Sequence, residues 1–313
     1  VKPVVLQVGS LPEWDETPLN AGCDVLRYFE AEDQRAFLRE QGAAVRAIVT
    51  RGELGADKAM IDACPQLELV SVYGVGFDAV DLDACAARGI RVTNTPDVLT
   101  EDVADLGVGM MISLLRELDG AAAWVRDGHW QSSNYRLTSR VHGKRVGVLG
   151  MGRIGQCVAK RLSGFDVQLS YCDMASHPDR EEWQFVADPV ALAAEVDVLF
   201  VTLAASAATR HIVGRGVIDA LGEHGCLINI SRASNVDEDA LLDALEARAL
   251  GGAALDVFEG EPHINPRFRA LDNVLLLPHC ASGTVETRRA MGQLLRDNVA
   301  AHFRGEPLLT PVN

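Results

Sequence analysis

The sequence predicts an α/β protein of two domains built on parallel, doubly wound sheets, and three observations carry that prediction. Short apolar, β-type runs alternate with helical stretches along almost the whole of the 313 residues. One such run, 144–149, passes at once into Gly150-Met-Gly152-Arg153-Ile154-Gly155 and a helical stretch over 153–163. Pro96 and a long helical stretch over 101–126 then separate two sets of strands, and with 48% hydrophobic residues the chain can bury two cores.

Taken in order, the first set reads as strand 4–8, helix 26–41, strand 45–50, helix 56–64, strand 69–73, helix 82–88 and strand 90–94. The stretch 101–126 carries Gly, Met and Leu on several faces (Asp105-Leu-Gly-Val-Gly-Met-Met-Ile-Ser-Leu-Leu115), so it is expected to be buried, as an interdomain strut or a dimer contact. The second set reads as strands 145–149, 166–171, 196–202, 226–230, 252–257 and 274–277, with helices between most of them. A last helix over 285–303 can cross back to the first domain and make it discontinuous. The expected domains are therefore 1–98 with 286–313, and 99–285.

Strand, glycines and helix in that order form the context in which a dinucleotide loop works. Gly150 makes the tight turn, Gly152 lets the backbone approach a pyrophosphate, and Gly155 lets helix pack on strand. The phosphate charge then meets free N–H groups at the helix N-terminus. The next strand ends at Cys172-Asp173, about twenty residues on, where this fingerprint places an acid for the ribose hydroxyls. That carboxylate would repel a 2′-phosphate, and Met174 stands where an NADP-selective site carries Arg or Lys, so NAD(H) is favoured. Arg180 lies close enough in sequence to leave NADP(H) open.

Composition narrows the partners. The net charge is −15 and no basic run occurs, which speaks against nucleic acid and anionic membranes. An anionic substrate must then be drawn in by a locally placed arginine. The opening Val-Lys-Pro-Val-Val-Leu-Gln-Val is strand-like, with no signal-type n- and h-regions and no long apolar span, so a soluble, cytoplasmic protein is expected. Seven widely spaced cysteines without a CxxC suggest free thiols, with neither a metal site nor a disulfide framework.

Three residues close successive strands downstream of the glycine loop: Arg232 after 226–230, Glu261 after 252–257 and His279 after 274–277. In open α/β sheets ligands bind beyond the carboxyl ends of strands, so all three can converge where a nicotinamide would lie. Singly, each reads as a surface charge, a solvated loop acid or a structural histidine. Together they supply what reduction of a 2-keto acid needs besides hydride. His279 is the acid for the carbonyl oxygen, Glu261 holds its other ring nitrogen, and Arg232 pairs with the substrate carboxylate.

These runs carry a family resemblance. Asn229-Ile-Ser-Arg232 with Val236-Asp237, Ala254-Leu-Asp256-Val-Phe258 with Glu261-Pro262, and Pro278-His279 with Ser282-Gly-Thr284 resemble the D-isomer-specific 2-hydroxyacid dehydrogenase family. The likeness extends to 143–150 and 94–105 and covers nearly the whole chain; the last of these runs and 279–289 look most like the glyoxylate/hydroxypyruvate and hydroxyphenylpyruvate reductase branch. The resemblance implies a Rossmann coenzyme domain and a flavodoxin-like, discontinuous substrate domain whose cleft closes over a small keto acid, in a homodimer formed through the coenzyme domains. It implies coenzyme contacts at Gly150, Gly152, Arg153, Ile154, Gly155, Asp173, Asp256 and Ser282, with Asp256 on the nicotinamide amide. It implies that Val75 and Gly76 offer amides to the substrate carboxylate and that Arg51 and Gly52 line the outer pocket; Leu54, Tyr73, Phe77, Trp130 and Tyr135 are candidate walls.

Three departures from the family pattern stand out. They are Asp173-Met174 in place of an NADP-type pair, Ala281 in place of a glycine beside the nicotinamide, and Ala204-Ala205 in place of a proline-containing turn under the adenine. Glu261 argues against formate oxidation, which uses Gln there. Phosphite oxidation keeps a similar triad, and NAD(H)-sensing corepressors share the fold, so both stand as alternatives.

Overall fold

Runs of Val, Ile and Leu with no polar alternation need a sheet covered on both faces, and that is the setting of most strands here. The structure, a computed structural model, describes residues 2–177, 179 and 182–313. The chain divides into two compact units, Val1–Leu99 with Ser282–Asn313, and Thr100–Ala281. Arg180 lies outside the described residues.

The first unit holds strands β1 (Val4–Gln7), β2 (Asp24–Arg27), β3 (Ala47–Arg51), β4 (Leu69–Tyr73) and β5 (Arg91–Thr93). All are parallel in the order β2-β1-β3-β4-β5, the flavodoxin-like winding. Strand β4, between β3 and β5, is buried along its whole length. Helices Gln34–Gln41, Lys58–Ala63 and Leu82–Ala87 each start on an aspartate, Asp33, Asp57 or Asp81, whose side chain accepts a first-turn N–H. The C-terminal helix Val285–Arg304 belongs to this unit and is capped in the same way by Thr284.

The second unit holds β6 (Arg145–Leu149), β7 (Gln168–Cys172), β8 (Gln184–Phe185), β9 (Val198–Val201), β10 (Cys226–Asn229), β11 (Gly252–Leu255) and β12 (Val274–Leu276). Their order, β12-β11-β10-β9-β6-β7-β8, is parallel throughout and reverses between β6 and β9. Such a reversal opens the crevice in which doubly wound sheets take ligands. Both units are thus parallel α/β layers, and the second is a Rossmann-like coenzyme domain.

The structure corrects three elements. The stretch expected as helix 26–41 begins with β2, and the helix starts only at Gln34, after its Asp33 cap; a further helix, Glu13–Gly22, precedes β2. The long helix over 101–126 is two, Thr100–Arg116 and Leu118–Arg126, broken at Glu117, whose φ is 47°. The Glu117 carboxylate holds the break by accepting from Tyr135 Oη at 2.9 Å and Arg136 Nε at 2.5 Å. Burial follows the break: the first helix buries Val103, Val108, Met110 and Met111, among others, while the second buries none of its residues. Among the described residues, no helix is long and apolar enough to cross a membrane.

Candidate active site

The glycine loop has the predicted form. β6 ends at Leu149, Gly150 turns with φ 100°, and the helix Arg153–Leu162 starts on Gly152. A Cβ on Gly155 would lie 2.1 Å from the Gly150 carbonyl oxygen, so glycine there is what brings helix and turn together. Around Gly152 the situation is the reverse: a Cβ would meet nothing within 4 Å, and no side chain caps the helix. That exposed glycine, with the first-turn amides of Arg153, Ile154 and Gly155 behind it, forms an open, amide-lined turn that suits a pyrophosphate.

Asp173 follows β7 and turns back on the loop. Its Oδ2 accepts from Met151 N at 2.8 Å and its Oδ1 from Met174 N at 2.7 Å, which leaves Oδ1 a further lone pair for a ribose hydroxyl. Met174 is fully exposed. His177, which the sequence reading did not single out, places Nε2 3.3 Å from Asp173 Oδ2. These residues fit a dinucleotide.

Arg232, Glu261 and His279 follow the ends of β10, β11 and β12. His279 Nδ1 lies 2.7 Å from Glu261 Oε2, and the Phe258 N–H donates to Glu261 Oε1 at 2.7 Å. Both Glu261 oxygens are therefore held. Burial pushes the Glu261 carboxyl up, but the His279 and Phe258 hydrogen bonds, with the charges of His279 and Arg232, outweigh it and hold the group below the usual carboxylate range. His279 itself sits in the left-handed region with φ 51°. Asp256 stabilises that turn, since its two oxygens accept from Cys280 N at 2.8 Å and Ala281 N at 2.9 Å. Asp256 is 1% exposed, and its burial raises the carboxyl above its ordinary value against those two bonds.

Arg232 is positioned by a buried polar cluster that the sequence reading missed. Its Nη1 donates to the Ser231 carbonyl at 2.8 Å, and its own carbonyl accepts from Asn229 Nδ2 at 3.1 Å. Asn229 Oδ1 accepts from Ser231 N and Oγ, and Asn235 Nδ2 donates to Ser231 Oγ and to the Leu203 carbonyl. Buried amides at a strand end need such partners, and that was the available signal.

In the first unit, Gly74 follows β4 with φ 151° and is stapled by Thr95, whose Oγ1 accepts from Gly74 N at 3.0 Å and whose N donates to the Gly74 carbonyl at 2.8 Å. Asn94 Nδ2 takes the Val75 carbonyl at 2.9 Å. Among the described residues, neither the Val75 nor the Gly76 amide donates a hydrogen bond within the chain. Arg51 closes β3 and pairs with Glu53 at 2.6 Å, and Gly52 follows it, buried. Ser282 follows Ala281 and is half-buried. Of the candidate walls, Tyr73 is buried and lines a cavity of the first unit, whereas Trp130 is 65% exposed in the second. Among the described residues, no cluster of side chains suits a metal ion.

A parallel Rossmann-like domain with an open glycine turn, an aspartate after its second strand and a His–Glu pair at its strand ends is the arrangement of a nicotinamide-dependent oxidoreductase. Comparison with known proteins names the family. Residues 108–281 match the profile of the D-isomer specific 2-hydroxyacid dehydrogenase NAD binding domain, and the chain belongs to that family as an NAD(P)-dependent enzyme. It is 46% identical over 308 residues to hydroxyphenylpyruvate reductase of Plectranthus scutellarioides, covering 98% of each chain. A solved 2-hydroxyacid dehydrogenase from Ketogulonicigenium vulgare Y25 is 64% identical with a TM-score of 0.93, covering 100% of this chain and 99% of that one. The NADPH-dependent glyoxylate/hydroxypyruvate reductase of Sinorhizobium meliloti, solved with NADP and malonate, is 37% identical with a TM-score of 0.92, covering 100% of this chain and 97% of that one.

Proposed function

We propose that the protein reduces a small 2-keto acid, of the glyoxylate, hydroxypyruvate or hydroxyphenylpyruvate type, to the D-2-hydroxy acid. The observation that carries this reading is the 2.7 Å contact between His279 Nδ1 and an ionised Glu261. With Nδ1 held by the carboxylate, Nε2 is the nitrogen left to face substrate, and it delivers a proton to the carbonyl oxygen as C2 is reduced. Nicotinamide coenzyme, when bound in the glycine cradle, supplies the hydride. Arg232 pairs with the substrate carboxylate and draws electron density from the carbonyl. The Val75 and Gly76 amides, which donate to no group among the described residues, are the second group assigned to that carboxylate. In the reverse direction His279 is the base.

NAD(H) is the coenzyme that Asp173 favours, because its carboxylate would face a 2′-phosphate. Names of relatives support both the keto-acid chemistry and a nicotinamide coenzyme, and one of them uses NADPH. The proposed assembly is a homodimer through the coenzyme domains. The test is loss of 340 nm absorbance with glyoxylate, hydroxypyruvate and 4-hydroxyphenylpyruvate, each with NADH and NADPH. Rapid oxidation with at least one keto acid, faster with NADH, is expected; NADH binding without any turnover would overturn the reading in favour of a coenzyme sensor.

A further inference from the structure

The first unit contains a cavity of about 410 Å³ at the carboxyl edge of its sheet. Ser10 beyond β1, Arg51 at the end of β3 and Tyr73 at the end of β4 are among the residues that line it, as are Trp14, Thr284 and Arg288. Tyr73 stands two residues before Val75, so the cavity adjoins the loop assigned to the keto-acid carboxylate. Glyoxylate has no carbon beyond its carbonyl and would leave such a space empty.

The charge in the wall is of one sign. Arg288 holds its guanidinium carbon 5.7 Å from the centre of the Tyr73 ring and has no carboxylate within ion-pair distance among the described residues. The nearby buried carboxylate, Asp15, is paired with Arg296, and Arg51 is paired with Glu53. The Tyr73 hydroxyl donates to the Arg288 carbonyl at 2.8 Å, and Thr284 Oγ1 accepts from Thr287 N at 3.1 Å. Much of the wall is apolar, from Leu11, Pro12, Trp14 and Val285, and its charged groups are two guanidinium forks, of which that of Arg288 lacks a counter-ion among the described residues. A neutral polyol tail needs acceptors as well as donors, whereas a carboxylate accepts only, and a fork matches it in two places.

We propose that this cavity selects the far end of the substrate, and that it favours a 2-keto acid whose tail ends in a carboxylate, with Arg288 as the principal anchor and Arg51 as a second donor. The proposal rests on the keto-acid reading above, but its test does not need turnover. Calorimetric titration in the presence of NAD⁺ would compare 2-oxoglutarate with 2-oxopentanoate, its equal in chain length with a methyl in place of the second carboxylate, and with a five-carbon 2-keto acid bearing hydroxyls. The dicarboxylate should bind about tenfold tighter or more, as expected for a charge-assisted, partly buried pair. Arg288→Gln should bring the three within about twofold of one another, while Arg288→Lys, which keeps the charge but loses the fork, should retain part of the preference. Equal binding in the unaltered protein, tighter binding of the hydroxylated tail, or a preference that survives in a folded Arg288→Gln variant would each overturn the proposal. A binding preference with no reduction of any keto acid would instead count against the reductase reading alone.

Discussion

Alanine at Gly152 and at Gly155 should have opposite consequences, although the two glycines share one turn. A Cβ on Gly152 meets nothing within 4 Å, and the residue's φ of −72° and ψ of −164° are open to any L-residue, so the fold should accept it. A Cβ on Gly155 would lie 2.1 Å from the Gly150 carbonyl oxygen and 3.0 Å from Thr202 Oγ1, a clash relieved only by moving the helix Arg153–Leu162 away from the turn. Overpacking of this kind costs about 1–3 kcal/mol, or roughly 2–12 °C in the midpoint of a unit of this size. NADH at a hundred times its Kd contributes about 2.7 kcal/mol of linkage and should raise the wild-type midpoint by roughly 5–11 °C. Thermal melts with and without NADH read all of this. Gly152→Ala should melt within about 2 °C of wild type without coenzyme, as an exposed substitution does, yet lose most of the NADH shift. Gly155→Ala should melt lower from the start. A Gly152→Ala protein with the full NADH shift would show that no pyrophosphate lies over that glycine, and a Gly155→Ala protein as stable as wild type would refute the packing argument.

Other perturbations probe the His279 side of the site and the coenzyme choice. Glu261→Gln should lower turnover by about 10²-fold, since the neutral amide no longer favours a charged imidazole. It should also alter the pH dependence of stability. A carboxyl whose value falls on folding, here from 4.5, stabilises the fold above that value and loses the contribution as pH drops through the lower folded value; urea unfolding at pH 6 and in the acid range should show that component in wild type and not in the variant. Asp256→Asn turns one acceptor into a donor facing a backbone N–H, and should cost about 1–3 kcal/mol after the gain from removing a buried charge; a displaced His279 should then show as a fall in kcat larger than the change in NADH affinity. Asp173→Ala should raise the ratio of NADPH to NADH efficiency by about tenfold, as removal of one nearby negative charge allows, and an unchanged ratio would remove the ribose contact from the account.

Much of this was legible because the chemistry sits at strand ends. Continuous apolar runs mark buried parallel strands, and whatever follows each run must lie at the sheet edge, so Arg232, Glu261 and His279 could be grouped before any coordinates. Short elements without an apolar run were not legible. β2 has only Val25 and Leu26 between charged ends, both half-buried, so it reads equally well as the start of a helix. The break at Glu117 carries neither Gly nor Pro; it is held by Tyr135 and Arg136, some twenty residues on in sequence, so no local pattern betrays it. The Asn229–Ser231–Asn235 cluster and the His177 contact with Asp173 depend on chain turns that a linear reading does not supply. The cavity of the first unit required four segments far apart in sequence to be brought to one edge.

The central claim is that His279 moves the proton that accompanies hydride transfer, and single-turnover reduction of a keto acid by NADH in the His279→Ala protein tests it most directly. The account predicts a rate at least about 10²-fold below wild type, with NADH affinity changed by no more than about twofold. Reduction at the wild-type rate in that variant would contradict it.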